Sequence, residues 1–303
     1  MAEVRDLSGQ VATSALDRLA SAPISWGVCE VPGWGPMLPA ERVLAEMAQL
    51  GLRGTELGAP GFLPDDGAAV AAVLNTYGLE LVGGFVPLVL HQRDAGPGLD
   101  AARVALAKLA AARGEVMVLA LVEDEAWSTP RELDDAGWRF LSANIARVQE
   151  LARALQITVA LHPHVGTLVE TAEQVRRALD ELEVGWCLDT GHLSIGGYDP
   201  LEFAQRHAGR VVHVHLKDVS AGIASRVRAG EISLLEATRE GLFRPLGQGD
   251  VDIRGVLAQL EAAGYRGWLV LEQDTVLTDP PPPTGTGPLV DVRASLDFLR
   301  LGA

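Results

Sequence analysis

The feature that most constrains the fold is an alternation of short apolar runs with longer segments of helical periodicity, repeated eight times along the chain. The apolar runs are rich in Val, Leu and Ile, which is typical of strands buried on both faces of a parallel sheet. No linker divides the repeats within the 303 residues, and closing eight strands into a barrel leaves no exposed sheet edge. The predicted fold is therefore α/β, a single (β/α)8 TIM barrel.

The predicted strands cover residues 24–28, 54–57, 81–88, 116–122, 158–161, 184–188, 211–216 and 268–271. Residues 1–21 are expected to form an N-terminal extension, helical over 12–20, and residues 22–303 are expected to form the barrel. Loops at 30–39 and 279–287 are rich in Pro and Gly. They could fold over the barrel mouth or contact a neighbouring copy in a homo-oligomer.

The charge balance argues against nucleic acid and anionic membranes as partners. The chain has 25 basic and 40 acidic residues, a formal charge of −15, whereas a protein that neutralises phosphates needs a basic face. The N-terminus lacks the apolar core of a signal peptide, and no apolar run approaches the ~18 residues of a membrane helix. We therefore expect a cytoplasmic protein whose two cysteines, Cys29 and Cys187, are reduced.

Polar side chains follow most of the predicted strands, at the point where each strand ends. In a parallel barrel these ends meet at one face, which is where such folds keep their chemistry. Charged and imidazole groups in this position are costly unless they are paired or ligated. The candidate site residues are Trp26, Glu56, His162, His164, Asp189, His192, His213, His215, Lys217 and Glu272.

Three of these residues form a donor set for a divalent metal. Asp189, His215 and Glu272 supply two carboxylates and one imidazole, a mix suited to Mn²⁺, Co²⁺, Fe²⁺ or Zn²⁺. His162 would complete four ligands, and His164 is the alternative from the same strand end. Two simpler explanations stay open: Asp189 could be the N-cap of the following segment, and Glu272 could form a salt bridge at the rim. His213 is predicted to be structural rather than a ligand.

Several motifs, in this order along the chain, resemble the xylose-isomerase-like superfamily of metal-dependent sugar isomerases and epimerases. They include RGTELG, CLDTGHL, HVHLKDV and VLEQD, and the resemblance covers nearly the whole chain after about residue 22. Within that superfamily, the segments ISWGV, LHPHVGT and GLFRPLGQGDVDI are most similar to the inosose dehydratases of inositol catabolism.

The resemblance implies that a metal, Mn²⁺ or Co²⁺ first and Zn²⁺, Fe²⁺ or Mg²⁺ otherwise, is held by Asp189, His215, Glu272 and the residue that ends strand 5. In the isomerases and epimerases that residue is a Glu that also acts as a base, whereas His162 stands here. Because an epimerase needs bases on opposite faces of its substrate, the departure favours elimination.

The implied reaction is the dehydration of 2-keto-myo-inositol, a polyhydroxy ketone, to a trihydroxycyclohexane-dione through an enediolate. Glu272 is the first candidate base, and His164 and Lys217 are the candidate acids. Lys217 could instead pair with Asp218. The expected pocket residues are Trp26, Glu56 and His192, although Trp26 could equally serve barrel packing. Two alternatives remain: a sugar or inosose isomerase or epimerase, and a metal-dead barrel that acts as a binding subunit.

Overall fold

The barrel strands are described here from a computed structural model that covers residues 15–301, with side chains from residue 17 onward. The strands are β1 Leu19–Ser21, β2 Gly54–Glu56, β3 Glu80–Leu88, β4 Val116–Leu121, β5 Thr158–Leu161, β6 Gly185–Asp189, β7 Val211–Leu216, β8 Asp218–Val219, β9 Phe243–Arg244 and β10 Leu269–Leu271. All except β8 and β9 close into one parallel barrel, in the order β1-β10-β7-β6-β5-β4-β3-β2. The predicted TIM barrel is confirmed.

The helices lie between the strands and cover the outside of the barrel. They are α1 Ala40–Gln49, α2 Gly67–Thr76, α3 Gly96–Ala111, α4 Asp135–Ala154, α5 Ala172–Glu181, α6 Thr190–Gly196, α7 Pro200–His207, α8 Ala221–Arg228, α9 Leu234–Arg239, α10 Ile253–Ala262 and α11 Pro288–Arg300. Several begin at a side-chain cap, such as the capping box of Thr171 and Gln174 at α5. None of the helices between residues 15 and 301 is long and apolar enough to cross a membrane.

The prediction for the first strand, residues 24–28, is wrong. Pro23–Trp26 forms a 3-10 helix, and the barrel strand is β1, which pairs with β2 and β10. Proline lacks the N–H that a ladder needs, and a short apolar run does not by itself distinguish a strand from a buried helical turn. β1 therefore lies inside the segment predicted as an extension. Residues 1–14 of that segment, with part of its predicted helix, lie outside the described residues.

An insertion after β7 covers one side of the barrel mouth. It contains α8, α9 and the antiparallel ribbon of β8 and β9, and it packs with α6 around a small core of Ile195, Val219, Ala224, Ala237, Leu242 and Phe243. The buried carboxylate of Asp218 accepts three backbone N–H groups, from Gly247, Gly249 and Val251, and so holds the following loop against the ribbon. None of the predicted strands falls on this ribbon.

Candidate active site

The strand period of two directs alternate side chains into the barrel. On β6, Leu188 points outward into the main hydrophobic core, so Asp189 points inward; on β7, Leu216 points outward and His215 inward. Asp189 and His215 are register partners on neighbouring strands. Below them the barrel interior is filled by small apolar side chains and the Cys187 thiol. The site therefore lies at the C-terminal ends of the strands, next to the packed interior of the barrel.

The three predicted metal ligands come together at this point. Donor atoms of Asp189, His215 and Glu272 all lie within 4.8 Å of one another. His215 Nδ1 lies 3.1 Å from Glu272 Oε2 and 3.5 Å from Asp189 Oδ2. All three residues are buried; Glu272, the most accessible, is 8% exposed. Residues at the ends of three strands thus bring one nitrogen and two carboxylates close together.

This donor arrangement fits a divalent cation. His215 Nδ1 is buried and has no hydrogen-bond partner among the described residues, although it faces two carboxylates. Burial would raise the pKa of Glu272, but the neighbouring charges of His215 and Lys217 outweigh it and lower that pKa to about 2. Lys217 likewise holds the pKa of Asp189 well below its usual range, so Asp189 and Glu272 are both anionic at neutral pH. Buried carboxylates facing an unpartnered imidazole nitrogen are what a borderline divalent metal binds.

Asp189 combines the capping role with a place in this cluster. Its Oδ1 accepts the backbone N–H of His192 at 2.7 Å and so caps α6. Its Oδ2 faces the cluster, 3.1 Å from His162 Nε2 and 3.5 Å from Lys217 Nζ. Capping and metal binding are therefore compatible, because each role uses a different oxygen.

The two histidines after β5 differ in position. A ring nitrogen of His162 lies within 4.8 Å of donor atoms of Asp189 and His192. A ring nitrogen of His162 also lies within 4.8 Å of donor atoms of Cys187 and His215. His164 lies farther out, with its ring 3.9 Å from that of His192. His164 Nδ1 donates to the carbonyl of Val165, so its Nε2 carries the free lone pair. Burial lowers the pKa of His164 to about 3. Of the two, His162 is the better placed to join Asp189 in holding a metal.

Lys217 bridges the acidic side of the site. Its ammonium lies 2.9 Å from both Glu272 Oε2 and Asp274 Oδ1, and 3.1 Å from His192 Nε2. It does not pair with Asp218, whose carboxylate holds the insertion instead. Gly191 leaves room for the lysine stem, since a Cβ at that position would come within 2.6 Å of Lys217 Cβ.

Asp274 is a site residue that sequence reasoning did not single out. Its burial raises its pKa, while the charge of Lys217 opposes the shift. The available signal was its position two residues after Glu272, although β10 ends at Leu271 and strand periodicity does not extend that far.

Two predicted pocket residues lie elsewhere than expected. Glu56 Oε1 accepts hydrogen bonds from His213 Nε2 at 2.8 Å and from His215 Nε2 at 2.9 Å, so this oxygen faces imidazoles rather than open space. Trp26 is fully buried in the main core, and its indole N–H donates to Glu46 on α1. The buried position of Trp26 agrees with the alternative that this residue serves barrel packing. His213 contacts the same oxygen of Glu56, and its structural role stays a prediction.

An aromatic pair at the mouth was also missed. Phe85 on β3 and Trp127 after β4 stack with ring centroids 6.1 Å apart, and they are 37% and 43% exposed. Phe85 contacts both His162 and His164. Trp127 holds a positive φ of 56°, an unfavourable conformation for a bulky residue. The only sequence signal was an isolated Trp in a polar loop.

Comparisons with known proteins agree with this architecture. The family model described as "Xylose isomerase-like TIM barrel" matches residues 44–300. The chain is 36% identical over 267 residues to "Rhizopine catabolism protein MocC" of Rhizobium meliloti, covering 85% of this chain and 81% of that protein. It is 31% identical over 281 residues to "Inosose dehydratase" of Geobacillus kaustophilus, covering 87% of this chain and 90% of the relative.

Solved structures with the same fold are more distant in sequence. An L-ribulose 3-epimerase superposes with a TM-score of 0.69 at 19% identity, covering 94% of each chain. A zinc-bound IOLI protein superposes with a TM-score of 0.69 at 13% identity, covering 94% of this chain and 98% of the other. The match of sequence, closed barrel and strand order leads to one conclusion: the chain belongs to the xylose isomerase-like TIM barrel family.

Proposed function

We propose that this protein is a metal-dependent hydro-lyase that removes water from an inosose, a cyclic polyhydroxy ketone. The observation that carries the proposal is the convergence of Asp189, His215 and Glu272 around the unpartnered His215 Nδ1. The inosose dehydratase of Geobacillus kaustophilus, 31% identical over nearly the whole chain, supports the substrate class.

The proposed metal ligands are Asp189, His215 and Glu272, with His162 beside Asp189 as the fourth. A bound divalent cation would polarise the substrate carbonyl, acidify the adjacent C–H and stabilise negative charge on the oxygen. Mn²⁺ and Co²⁺ are the ions we propose first, ahead of Zn²⁺, Fe²⁺ and Mg²⁺, because the donors mix imidazole with carboxylate.

The chain's own groups supply the proton transfers. Lys217 is a buried ammonium with three N–H bonds, and we propose that it protonates the leaving hydroxyl. Two proton acceptors belong to the same cluster of side chains. Glu272 is closest to the proposed ion, but its Oε2 is held by Lys217, whereas His164 Nε2 has a free lone pair because Nδ1 donates to Val165. We propose both as candidate bases, Glu272 for its place in the metal-binding set and His164 for its free lone pair.

Aromatic side chains at the barrel mouth are placed to bind the substrate ring. Phe85 and Trp127 present partly exposed aromatic faces next to His162 and His164. We propose that the C–H side of the substrate packs on these rings while its oxygens point toward the carboxylates. His192, between His164 and Lys217, would contact a substrate hydroxyl.

Epimerisation or isomerisation of a related sugar is the second candidate. The site shares its cation-binding donors with that chemistry, and L-ribulose 3-epimerase has the same fold. Against this candidate, imidazoles rather than a carboxylate follow β5, so one of the two bases of an epimerase has no counterpart there.

Incubation of metal-loaded protein with scyllo-inosose tests the proposal. Dehydration gives a product lighter by one water, with the absorbance of a conjugated enone or enol. An unchanged mass with a rearranged product supports isomerisation instead. The matched control is Asp189→Asn, which keeps the α6 cap acceptor but removes a ligand charge. If wild type takes up no metal and transforms neither inososes nor ketoses, the barrel is the metal-dead binding subunit.

A further inference from the structure

The carboxylate of Glu56 at the end of β2 joins two histidines of β7. Its Oε1 lies 2.8 Å from His213 Nε2 and 2.9 Å from His215 Nε2. Glu56 is 3% exposed, and both histidines are buried. A carboxylate oxygen only accepts hydrogen bonds when ionised, so each imidazole must donate an N–H from Nε2.

This hydrogen bond decides which nitrogen of His215 is free. As a metal ligand His215 is a neutral imidazole with one N–H, because the cation displaces the other proton; Glu56 holds the remaining N–H on Nε2, so Nδ1 supplies the lone pair. Nδ1 is the nitrogen that faces Glu272 Oε2 at 3.1 Å and Asp189 Oδ2 at 3.5 Å. The opposite tautomer would direct an N–H at the carboxylates and leave no donor electrons for a cation.

We propose that Glu56 is a positioning residue that holds His215 in the Nε2–H tautomer and thereby makes Nδ1 the metal-binding nitrogen. The inference rests on the metal site proposed above but not on the reaction assigned to it. Outer carboxylates that hold a ligating histidine in this way fix the ring orientation and raise the basicity of the ligand. This assigns Glu56 to metal binding rather than to substrate hydroxyls.

The structure also contains a competing arrangement. Glu56, His213 and His215 themselves form a buried group whose donor atoms lie within 4.8 Å of one another. A cation bound there would use His215 Nε2, and Glu56 would be a ligand. The two arrangements differ in which nitrogen of His215 carries the metal, and that difference can be measured.

The first measurement is metal affinity, by titration of metal-free protein with Mn²⁺ and Zn²⁺. Glu56→Leu removes the acceptor and Glu56→Gln keeps its shape without the charge; we expect the Kd to rise about 10- to 100-fold, with Gln at the lower end. The matched control is His213→Asn, which changes the same layer but leaves the Glu56–His215 bond, and its Kd should stay at the wild-type value. Circular dichroism and thermal melting verify folding, and the isosteric Gln variant carries the test if the Leu variant does not fold.

The second measurement is the ¹⁵N NMR spectrum of histidine-labelled, Zn²⁺-loaded protein. We expect a protonated Nε2 and a metal-shifted Nδ1 for His215. A metal-shifted Nε2, or Glu56 variants that bind metal as tightly as wild type, would overturn the inference. A wild-type protein that binds metal through Nδ1 but forms no dehydrated product leaves the inference standing and overturns only the reaction. A wild type that takes up no metal overturns both.

Discussion

At the scale of single residues, the candidate site is a set of charges that neutralise one another inside the barrel. Lys217 is a cation of the set, because its ammonium contacts Glu272 and Asp274 and lies 3.5 Å from Asp189. Burial alone would raise the pKa of Asp189, yet the positive charge of Lys217 holds it well below its usual range. A change to any member of this set therefore affects both the chemistry and the free energy of folding.

Lys217→Met is expected to lower kcat by about 10²- to 10⁴-fold, because the proposed proton donor is lost. It should also reduce the free energy of unfolding by about 3–5 kcal/mol, since two buried carboxylates lose their partner. Steady-state kinetics and urea unfolding measure the two effects. Lys108→Met removes a more exposed lysine that pairs with Asp65 and should change neither. Wild-type kcat in the Lys217 variant would exclude this residue as the acid.

His91 provides a pH prediction away from the metal ligands. It is 2% exposed, neither ring nitrogen has a hydrogen-bond partner among the described residues, and burial lowers its pKa from 6.5. The unfolded chain then binds the proton more tightly than the folded one, so this residue's contribution to stability is complete above pH 6.5 and declines as the pH falls below it.

The test of that prediction compares wild type with His91→Asn. Thermal unfolding between about pH 8 and pH 5 should show a steeper loss of stability for wild type than for the variant, because Asn does not titrate. Equal slopes for the two proteins would mean that His91 does not contribute to the acid sensitivity.

At the scale of elements, α1 holds the Pro-rich loop at 279–287 against the barrel. Arg42 donates to the carbonyls of Pro282 and Pro283, and Glu46 Oε1 accepts the backbone N–H of Gly285. Glu46 Oε2 accepts the indole N–H of Trp26. The loop therefore depends on side chains from α1 and on the 3-10 helix that follows β1.

Arg42→Ala should loosen this loop without unfolding the barrel, because it removes two hydrogen bonds to the loop and one to Glu46 Oε1, the oxygen that accepts from Gly285. Hydrogen exchange measured by mass spectrometry should show faster exchange for peptides that contain Gly285 and Thr286, with unchanged exchange in β4 and β6. Arg103→Ala removes an exposed arginine that pairs only locally and is the control. Unchanged exchange at 284–287 in the Arg42 variant would contradict this account.

At the scale of the whole molecule, the closed barrel is what brings the site together. Asp189, His215 and Glu272 stand on neighbouring strands of one cycle, β6, β7 and the end of β10. A cation bound across these strands binds the folded state only, so it should stabilise the entire barrel.

Saturation with Mn²⁺ at about 100 times the Kd should raise the free energy of unfolding by about 2.7 kcal/mol. Thermal melts with added metal and with a chelator measure the shift. Asp189→Asn should melt at the same temperature with and without metal, and so should His215→Gln. A metal-dependent shift of wild-type size in both variants would place the ion elsewhere.

Much of the architecture was predictable because it depends on local patterns. Short apolar runs predicted β2 to β7 and β10, and the polar residues that end them predicted that Asp189 and His215 would meet at one end of the barrel. The first strand was misplaced because a short, mostly apolar segment suits a buried 3-10 turn as well as a strand. No local sequence pattern predicted the role of Asp274, the stacking of Phe85 on Trp127, or the contacts of Glu56 with two histidines.

The sequence by itself determined the repeating strand–helix unit and which end of the barrel carries metal-binding side chains, because both follow from residue periodicity and from polar groups that end apolar strands. Only the tertiary structure decided which side chains meet. Glu56 forms hydrogen bonds with residues far along the chain: His213 lies 157 positions away and His215 lies 159 positions away. Such contacts depend on strand register and barrel closure, which orient a ring nitrogen to within a hydrogen-bond length, and no local pattern encodes that distance.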